Sequence, residues 1–269
     1  MISLEDRKHT ETVDSCCLNS NGKKISVSIF KTGAWEKFPS EYSDRIFSFV
    51  QFYLTQLKHE NLFSGSLIIG NFGYSNPKCI QANIKGFGKI SLAREIRYDH
   101  SFAMLFELAH ELTHYFADQS ERTENTWIEE SICTLASYVI SMNYASRLKG
   151  YGNPEPYGND YFFFCSIIQE RLQEIILSTP EYISGGNPLL SHPSSKVSRS
   201  HQAEFVKAFL PYFRRENGDI WNIVLHLPRQ CYSVSDQDFF DHWIQNCEAD
   251  KTDRHVRKIR DFQEKNYNR

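Results

Sequence analysis

Two histidines four residues apart, His110 and His114, with Glu111 between them, are the side chains in this sequence best spaced for chemistry. The run Phe106-Glu107-Leu108-Ala109-His110-Glu111-Leu112-Thr113-His114-Tyr115-Phe116 reads as a helix. Residues four apart stack on one helix face, so both imidazoles can hold one metal ion. Glu111 lies about 100° further round the helix, where it can reach a water on that ion without ligating it. A Zn²⁺ with few protein ligands keeps a position for water and acidifies it, and a neighbouring carboxylate can take the proton.

The flanks raise the weight of a five-residue pattern. Phe102, Leu105, Phe106, Ala109 and Phe116 form one apolar stripe, and Leu108, Leu112 and Tyr115 extend it almost all round, as on a core helix. Two imidazoles and a carboxylate placed there need partners or cost several kcal/mol between them. One metal ion satisfies all three, whereas ordinary core histidines would each need separate partners.

A third ligand is expected on the next helix, spanning about 126–144. Its opening, Trp127-Ile128-Glu129-Glu130-Ser131, carries two neighbouring acids. Both could be favourable charges near a helix N-terminus. Thr126-x-x-Glu129 also matches a capping box, which leaves Glu130 freer to ligate. Glu130 shares its face with Cys133, Thr134, Ser137 and Ser141; Glu129 shares its own with Ile132, Cys133, Ala136 and Ile140. Glu130 is therefore the expected third ligand, with Glu129 the alternative.

The remaining elements must position this set. At 269 residues and 31.4 kDa, with 41% hydrophobic and 14% aromatic residues, the chain can bury a large core. A formal net charge of -3 gives no electrostatic case for nucleic acid or a membrane surface as partner. The polar N-terminus lacks a signal-peptide core, and no run approaches the roughly 18 apolar residues of a membrane span. Seven scattered cysteines without metal-finger spacing fit free thiols, and the expected location is cytoplasmic, with leaderless export left open.

Residues 1–24 read as a polar lead-in ending at the Asn21-Gly22 turn. Residues 25–30 alternate with period two, as a strand, and an amphipathic helix follows from 41 to about 59. A short buried strand is expected at 66–70. Strands at 79–84 and 89–93 flank Lys85-Gly86-Phe87-Gly88, a turn whose glycines could supply positive φ. The second of these strands should neighbour the His110 helix; were it a sheet edge, its free backbone groups could hold an extended peptide. The His110 helix should open near Asp99 or Ser101.

Beyond the second metal helix, 150–158 reads as a loop, 161–177 as a helix and 179–198 as a long loop. Helices follow at 200–214, 219–226 and 236–247. The charged tail, 251–269, reads as a solvated helix or frayed end. His9, His59, His100, His226, His242 and His255 read as ordinary surface or core residues.

His110-Glu111-x-x-His114 followed by Trp127-Ile128-Glu129-Glu130 resembles the gluzincin branch of zinc metallopeptidases, which includes thermolysin-like enzymes and zinc aminopeptidases. The resemblance covers about residues 102–141 and maps the branch's W-x-x-E ligand onto Glu130. It implies an α+β, zincin-like fold. An N-terminal mixed β-sheet lobe with packed helices (1–119) and a mainly α-helical C-terminal lobe (120–269) would flank the active-site cleft. It also implies one Zn²⁺, held by His110, His114 and Glu130, with Glu111 as general base in the hydrolysis of protein or peptide substrates. Tyr157, Tyr161, His192 and His201 are candidates for stabilising the oxyanion.

Three features depart from that pattern. The segment joining His114 to Glu130 is shorter than in the large aminopeptidases. Ser131 stands where many relatives have Gly, and Thr134 where thermolysin-like enzymes carry the aspartate that supports a ligand histidine. No G-x-M-E-N element is present, which argues against an aminopeptidase. The alternatives from other classes are an inactive zincin-fold binding module stapled by zinc, and a metal-free helical core.

Overall fold

The computed structural model describes residues 3–11, 13–20, 23–36, 39–57, 65–73, 78–81, 87–92, 101–117, 127–150, 196–216, 218–228 and 236–267, and the account below concerns these. They form an α+β structure. The strands are β1 (Ser3–His9), β2 (Val13–Ser20), β3 (Lys23–Phe30), β4 (Gly65–Gly70), β5 (Lys78–Gln81) and β6 (Phe87–Ser91). The α-helices are α1 (Ser40–Gln56), α2 (Ser101–Phe116), α3 (Trp127–Gly150), α4 (Lys196–Arg215), α5 (Asp236–Cys247) and α6 (Asp253–Tyr267).

One mixed six-stranded sheet runs in the order β1-β2-β3-β4-β6-β5. β1, β2 and β3 form an antiparallel meander, β3-β4 and β4-β6 are parallel, and β5 returns antiparallel to β6. The period-two pattern of β3 turns Ile25, Val27 and Ile29 into the core and leaves Lys24 and Ser26 exposed. Leu67 and Ile69 of β4 and Ile90 of β6 continue the buried layer. α1 crosses from β3 to β4 and buries Ile46, Phe47, Val50, Tyr53 and Leu54, the residues its helical spacing predicts.

The first strand pair corrects the expected polar lead-in. In β2 the apolar alternation is only Cys16 and Leu18, because its third inward position is the acid Asp14. Asp14 is buried yet satisfied: Ser43 Oγ donates to it at 2.5 Å, Thr10 N–H at 3.2 Å, and Lys31 Nζ lies 3.0 Å away. Adjacent Cys16 and Cys17 point to opposite faces, Cys16 buried and Cys17 half-buried, and neither forms a disulfide.

The hairpin also differs from expectation. β6 lies inside the sheet between β4 and β5, and β5 is the edge strand. Gly88 is a β6 residue rather than a turn residue, and its reason for lacking a side chain is close approach. A Cβ there would stand 2.3 Å from Cδ2 of Tyr115, so the missing methyl lets α2 lie directly on the hairpin.

α2 is buried along Met104, Leu105, Leu108, Ala109, Leu112, Tyr115 and Phe116. It packs on β5, β6, α1 and α3, and α3 packs in turn on α4. Tyr53 of α1 fixes the register behind the histidine turn. Its hydroxyl pairs with Thr113 Oγ1 at 2.7 Å, Thr113 donates to Ala109 O at 2.8 Å, and its ring stacks on Phe116. Burial raises the Tyr53 phenol far above its usual range, so it stays a neutral hydrogen-bonding group.

In the C-terminal part, α3 runs about two turns past the expected Tyr144, and α4 begins at Lys196, inside the expected loop. The expected loop at 151–158, the helix at 161–177 and the rest of the long loop lie outside the described residues. Residues Asp219–His226 form the helix expected there, and it is a 3₁₀ helix. Ile220 with Ile223 and Trp221 with Val224 repeat every third residue, and all four are buried. Gly218, at φ 83°, makes the reversal from α4 into it. The charged tail is the amphipathic helix α6, with His255, Val256, Ile259 and Gln263 buried. No described helix is long and apolar enough to cross a membrane.

Candidate metal centre

His110, Glu111 and His114 lie in the last two turns of α2, and Glu129 and Glu130 in the first turn of α3. The two helices pack against each other so that three donor groups converge. His110 Nε2 is 3.2 Å from His114 Nε2, His110 Nε2 is 3.2 Å from Glu130 Oε2, and His114 Nε2 is 3.4 Å from Glu130 Oε1.

These separations can be tested against a metal. Donor atoms about 2.0–2.1 Å from a tetrahedral zinc stand about 3.3–3.4 Å apart, close to the separation of the two Nε2 atoms and to that of each from its nearer Glu130 oxygen, Oε2 for His110 and Oε1 for His114. Two nitrogen lone pairs and a carboxylate at this distance repel one another unless positive charge lies between them. A proton can supply that charge, and so can a divalent ion.

Glu129 points to the other side of His114. Its Oε1 lies 2.8 Å from His114 Nδ1, with both side chains buried, 1% and 4% exposed. A carboxylate on Nδ1–H fixes the tautomer that leaves Nε2 facing His110 and Glu130, and it raises the basicity of that nitrogen. The expected capping partner of Glu129, Thr126, lies outside the described residues, so the capping box is not described; the observed partner of its carboxylate is the histidine.

Cys133, one turn further along α3, places Sγ 3.4 Å from His114 Nδ1. His110, His114 and Cys133 each have a donor atom within 4.8 Å of the others, which makes a second possible ligand set. The geometry favours the first. Cys133 lies against the nitrogen that Glu129 already engages, whereas both Nε2 atoms face Glu130. Burial pushes the Cys133 thiol up to about 12, although the His114 ring works the other way, and a thiol must ionise before it ligates.

Burial also opposes charge on His114, but Cys133 and Glu130 beside the ring, together with the Cys133 and Glu129 hydrogen bonds, outweigh it. They hold His114 well above the usual histidine range.

Exposure is graded across the site. His114 and Glu129 are sealed, while the side chains of His110 and Glu130 are 25% and 22% exposed. The donor triangle therefore faces solvent on one side, which leaves room for water or a substrate atom. Glu111 is buried on α2, immediately after His110.

The neighbouring small side chains are satisfied within α3. Ser131 Oγ donates to Trp127 O at 2.6 Å, Thr134 Oγ1 to Glu130 O at 2.8 Å, and Ser137 Oγ to Cys133 O at 3.2 Å. Thr134 is thus bonded to its own helix, and Glu129 is the carboxylate that engages His114 Nδ1.

Of the four oxyanion candidates, Tyr157, Tyr161 and His192 lie outside the described residues. His201 is half-buried near the start of α4, with its ring 6.0 Å from that of Trp127 at the head of α3.

Sequence reasoning missed the contacts that Glu129 and Cys133 make with His114 Nδ1. A signal was available for Glu129: a ligand histidine needs an acceptor on its second nitrogen, and two adjacent acids about 100° apart can serve both needs. Compared with known proteins, the chain matches no family model, no curated protein and no solved structure.

Proposed function

We propose that the protein is a zinc-dependent peptidase in which His110, His114 and Glu130 hold one Zn²⁺ and Glu111 is the general base. The observation that carries this reading is the convergence of His110 Nε2, His114 Nε2 and the two oxygens of the Glu130 carboxylate at 3.2–3.4 Å, with His110 and Glu130 partly exposed to solvent. Bound there, zinc would polarise a scissile carbonyl and acidify a water.

The chain's own groups do the rest. Glu129 keeps the His114 ring in the orientation and tautomer that present Nε2. Glu111 accepts a proton from water and returns it to the leaving amine. His201, near the head of α3, is the oxyanion candidate that lies on a described element. Among the described residues β5 is paired on one side only, by β6, and α2 packs against it. Its second edge suits a protein or peptide substrate bound as an added strand. In a zincin-like arrangement the sheet lobe, 1–119, and the helical lobe, 120–269, would form the two walls of the cleft.

The test is Glu111→Gln, with zinc content and cleavage of a peptide library measured on both proteins. The expected result is zinc held at the His110 centre in both, with the same total stoichiometry, and hydrolysis reduced by about 10²–10⁴-fold in the variant. Full activity in Glu111→Gln refutes the mechanism. Stoichiometric zinc without cleavage by the wild type supports the second reading, a zinc staple between α2 and α3, which the distribution of donors over both helices would also serve.

A further inference from the structure

The C-terminal helices bring together a second set of donor atoms, distinct in residues from the α2–α3 site. Tyr212 and Glu216 lie at the end of α4, Asp219 opens the 3₁₀ helix after the Gly218 reversal, and His255 is in the first turn of α6. The His255 side chain is fully buried. Its Nδ1 is 2.6 Å from the Tyr212 hydroxyl, and its Nε2 is shielded from solvent with no hydrogen-bond partner. That nitrogen faces the Asp219 carboxylate, with Glu216 in the same cluster. Asp219 Oδ2 is 3.7 Å away, beyond hydrogen-bond reach, and Glu216, Asp219 and His255 each have a donor atom within 4.8 Å of the others.

A buried ring nitrogen beside two carboxylates without a hydrogen bond is an arrangement proteins rarely leave unfilled. We propose that Glu216, Asp219 and His255 form a second divalent-cation site, separate from the His110 centre, that takes zinc or a similar borderline ion. The donor set argues for this class. Two carboxylates supply negative charge, and an imidazole nitrogen favours a transition ion over magnesium or calcium. Tyr212 completes the design: when its oxygen accepts Nδ1–H, the Nε2 lone pair is turned to the carboxylates.

The ion would tie α4, the 3₁₀ helix and α6 together. Arg254 is its competitor. Nη2 donates to Asp219 Oδ2 at 2.6 Å and lies 4.0 Å from Glu216 Oε2, but the side chain is 60% exposed, where an ion pair contributes little and an entering ion can displace it.

The experiment strips the full-length protein with chelator and titrates it with Zn²⁺, reading stoichiometry by calorimetry and by metal analysis after equilibrium dialysis. The wild type is expected to bind two ions and Asp219→Asn one; Asp219 is one-third exposed, so this change leaves the fold intact. His114→Asn should keep the second ion and lose it only when combined with Asp219→Asn. Arg254→Ala should tighten the second site about two- to fivefold by removing the competing cation. The proposal is overturned if no ion binds beyond the His110 centre, since a bridging water then fills the gap. It is equally overturned if the second ion survives both Asp219→Asn and Glu216→Gln, or if Arg254→Ala fails to tighten it. Failure of the His110 reading looks different: one ion that is insensitive to His114→Asn and lost in Asp219→Asn.

Discussion

Replacing Glu129 with Gln separates the two ways in which zinc could sit at the α2–α3 site. The amide keeps the shape of the side chain and can still accept the His114 Nδ1–H at the 2.8 Å contact, so ring orientation survives. Only the charge is lost. A hydrogen bond to a charged group contributes about 1.5–3 kcal/mol and a neutral one about 0.5–1.5 kcal/mol, a difference of about 1–1.5 kcal/mol. Zinc affinity should therefore fall about five- to tenfold, at the lower end of the range for groups that support a ligand histidine. Glu129→Ala leaves the ring N–H without its acceptor in a sealed pocket and should approach the hundredfold end.

Glu130→Gln removes a donor from the triangle and must weaken zinc more than either, while Cys133→Ser should matter less than Glu129→Gln. The assay is competition with a chromophoric chelator at one fixed pH, because a protonated His114 must release its proton before it can ligate. Were zinc held on the Nδ1 side with Cys133, the order would reverse. Normal affinity in Glu130→Gln beside lost affinity in Glu129→Gln or Cys133→Ser would refute the assignment.

The other expectations concern the scaffold. Tyr53→Phe deletes the 2.7 Å bond to Thr113 and should cost about 0.5–1.5 kcal/mol in urea unfolding. Thr113 keeps its bond to Ala109, so zinc affinity should not change; a tenfold loss would show that α1 holds the site directly. Gly88→Ala forces a methyl group to within 2.3 Å of Tyr115 and should destabilise by about 1–3 kcal/mol, with an unchanged denaturation midpoint counting against the close packing of α2 on β6. Cys247 gives a pH signature, because burial pushes its thiol from 9.0 up to about 12. The unfolded chain ionises first, so the contribution of this thiol is complete below about pH 9 and is lost as pH rises towards 12. Over that window Cys247→Ala should flatten the fall of unfolding free energy by up to about 1.4 kcal/mol per pH unit, and parallel wild-type and variant curves would refute the assignment.

Much of the scaffold was legible where a single period dominates. β3 and α1 each bury one face against one neighbouring layer, so alternation at 25–30 and helical spacing at 46–57 carry the answer locally. β1 and β2 were not legible, because Asp14 occupies a core position and is made tolerable by Thr10, Lys31 and Ser43, two of them on other elements. The helix at 219–226 was legible in its bounds but not in its 3₁₀ type, and the first turn of α4 was read as loop, since tertiary packing outweighs weak local preference. His255 looked like one more histidine in a charged tail, since its partners Tyr212 and Asp219 lie far back along the chain.

By itself the sequence determined that His110 and His114 share a helix face, because a four-residue spacing on an α-helix leaves no other choice. It also determined that one of two adjacent acids, Glu129 or Glu130, could join them. Which acid faces both Nε2 atoms and which supports Nδ1 was decided by the packing of α2 on α3. Neighbouring helical positions point about 100° apart, and only the rotation of one helix against the other says where each points. That rotation comes from the packing of whole helices, with α2 seated on β6 where Gly88 leaves room for Tyr115, and no local pattern encodes it.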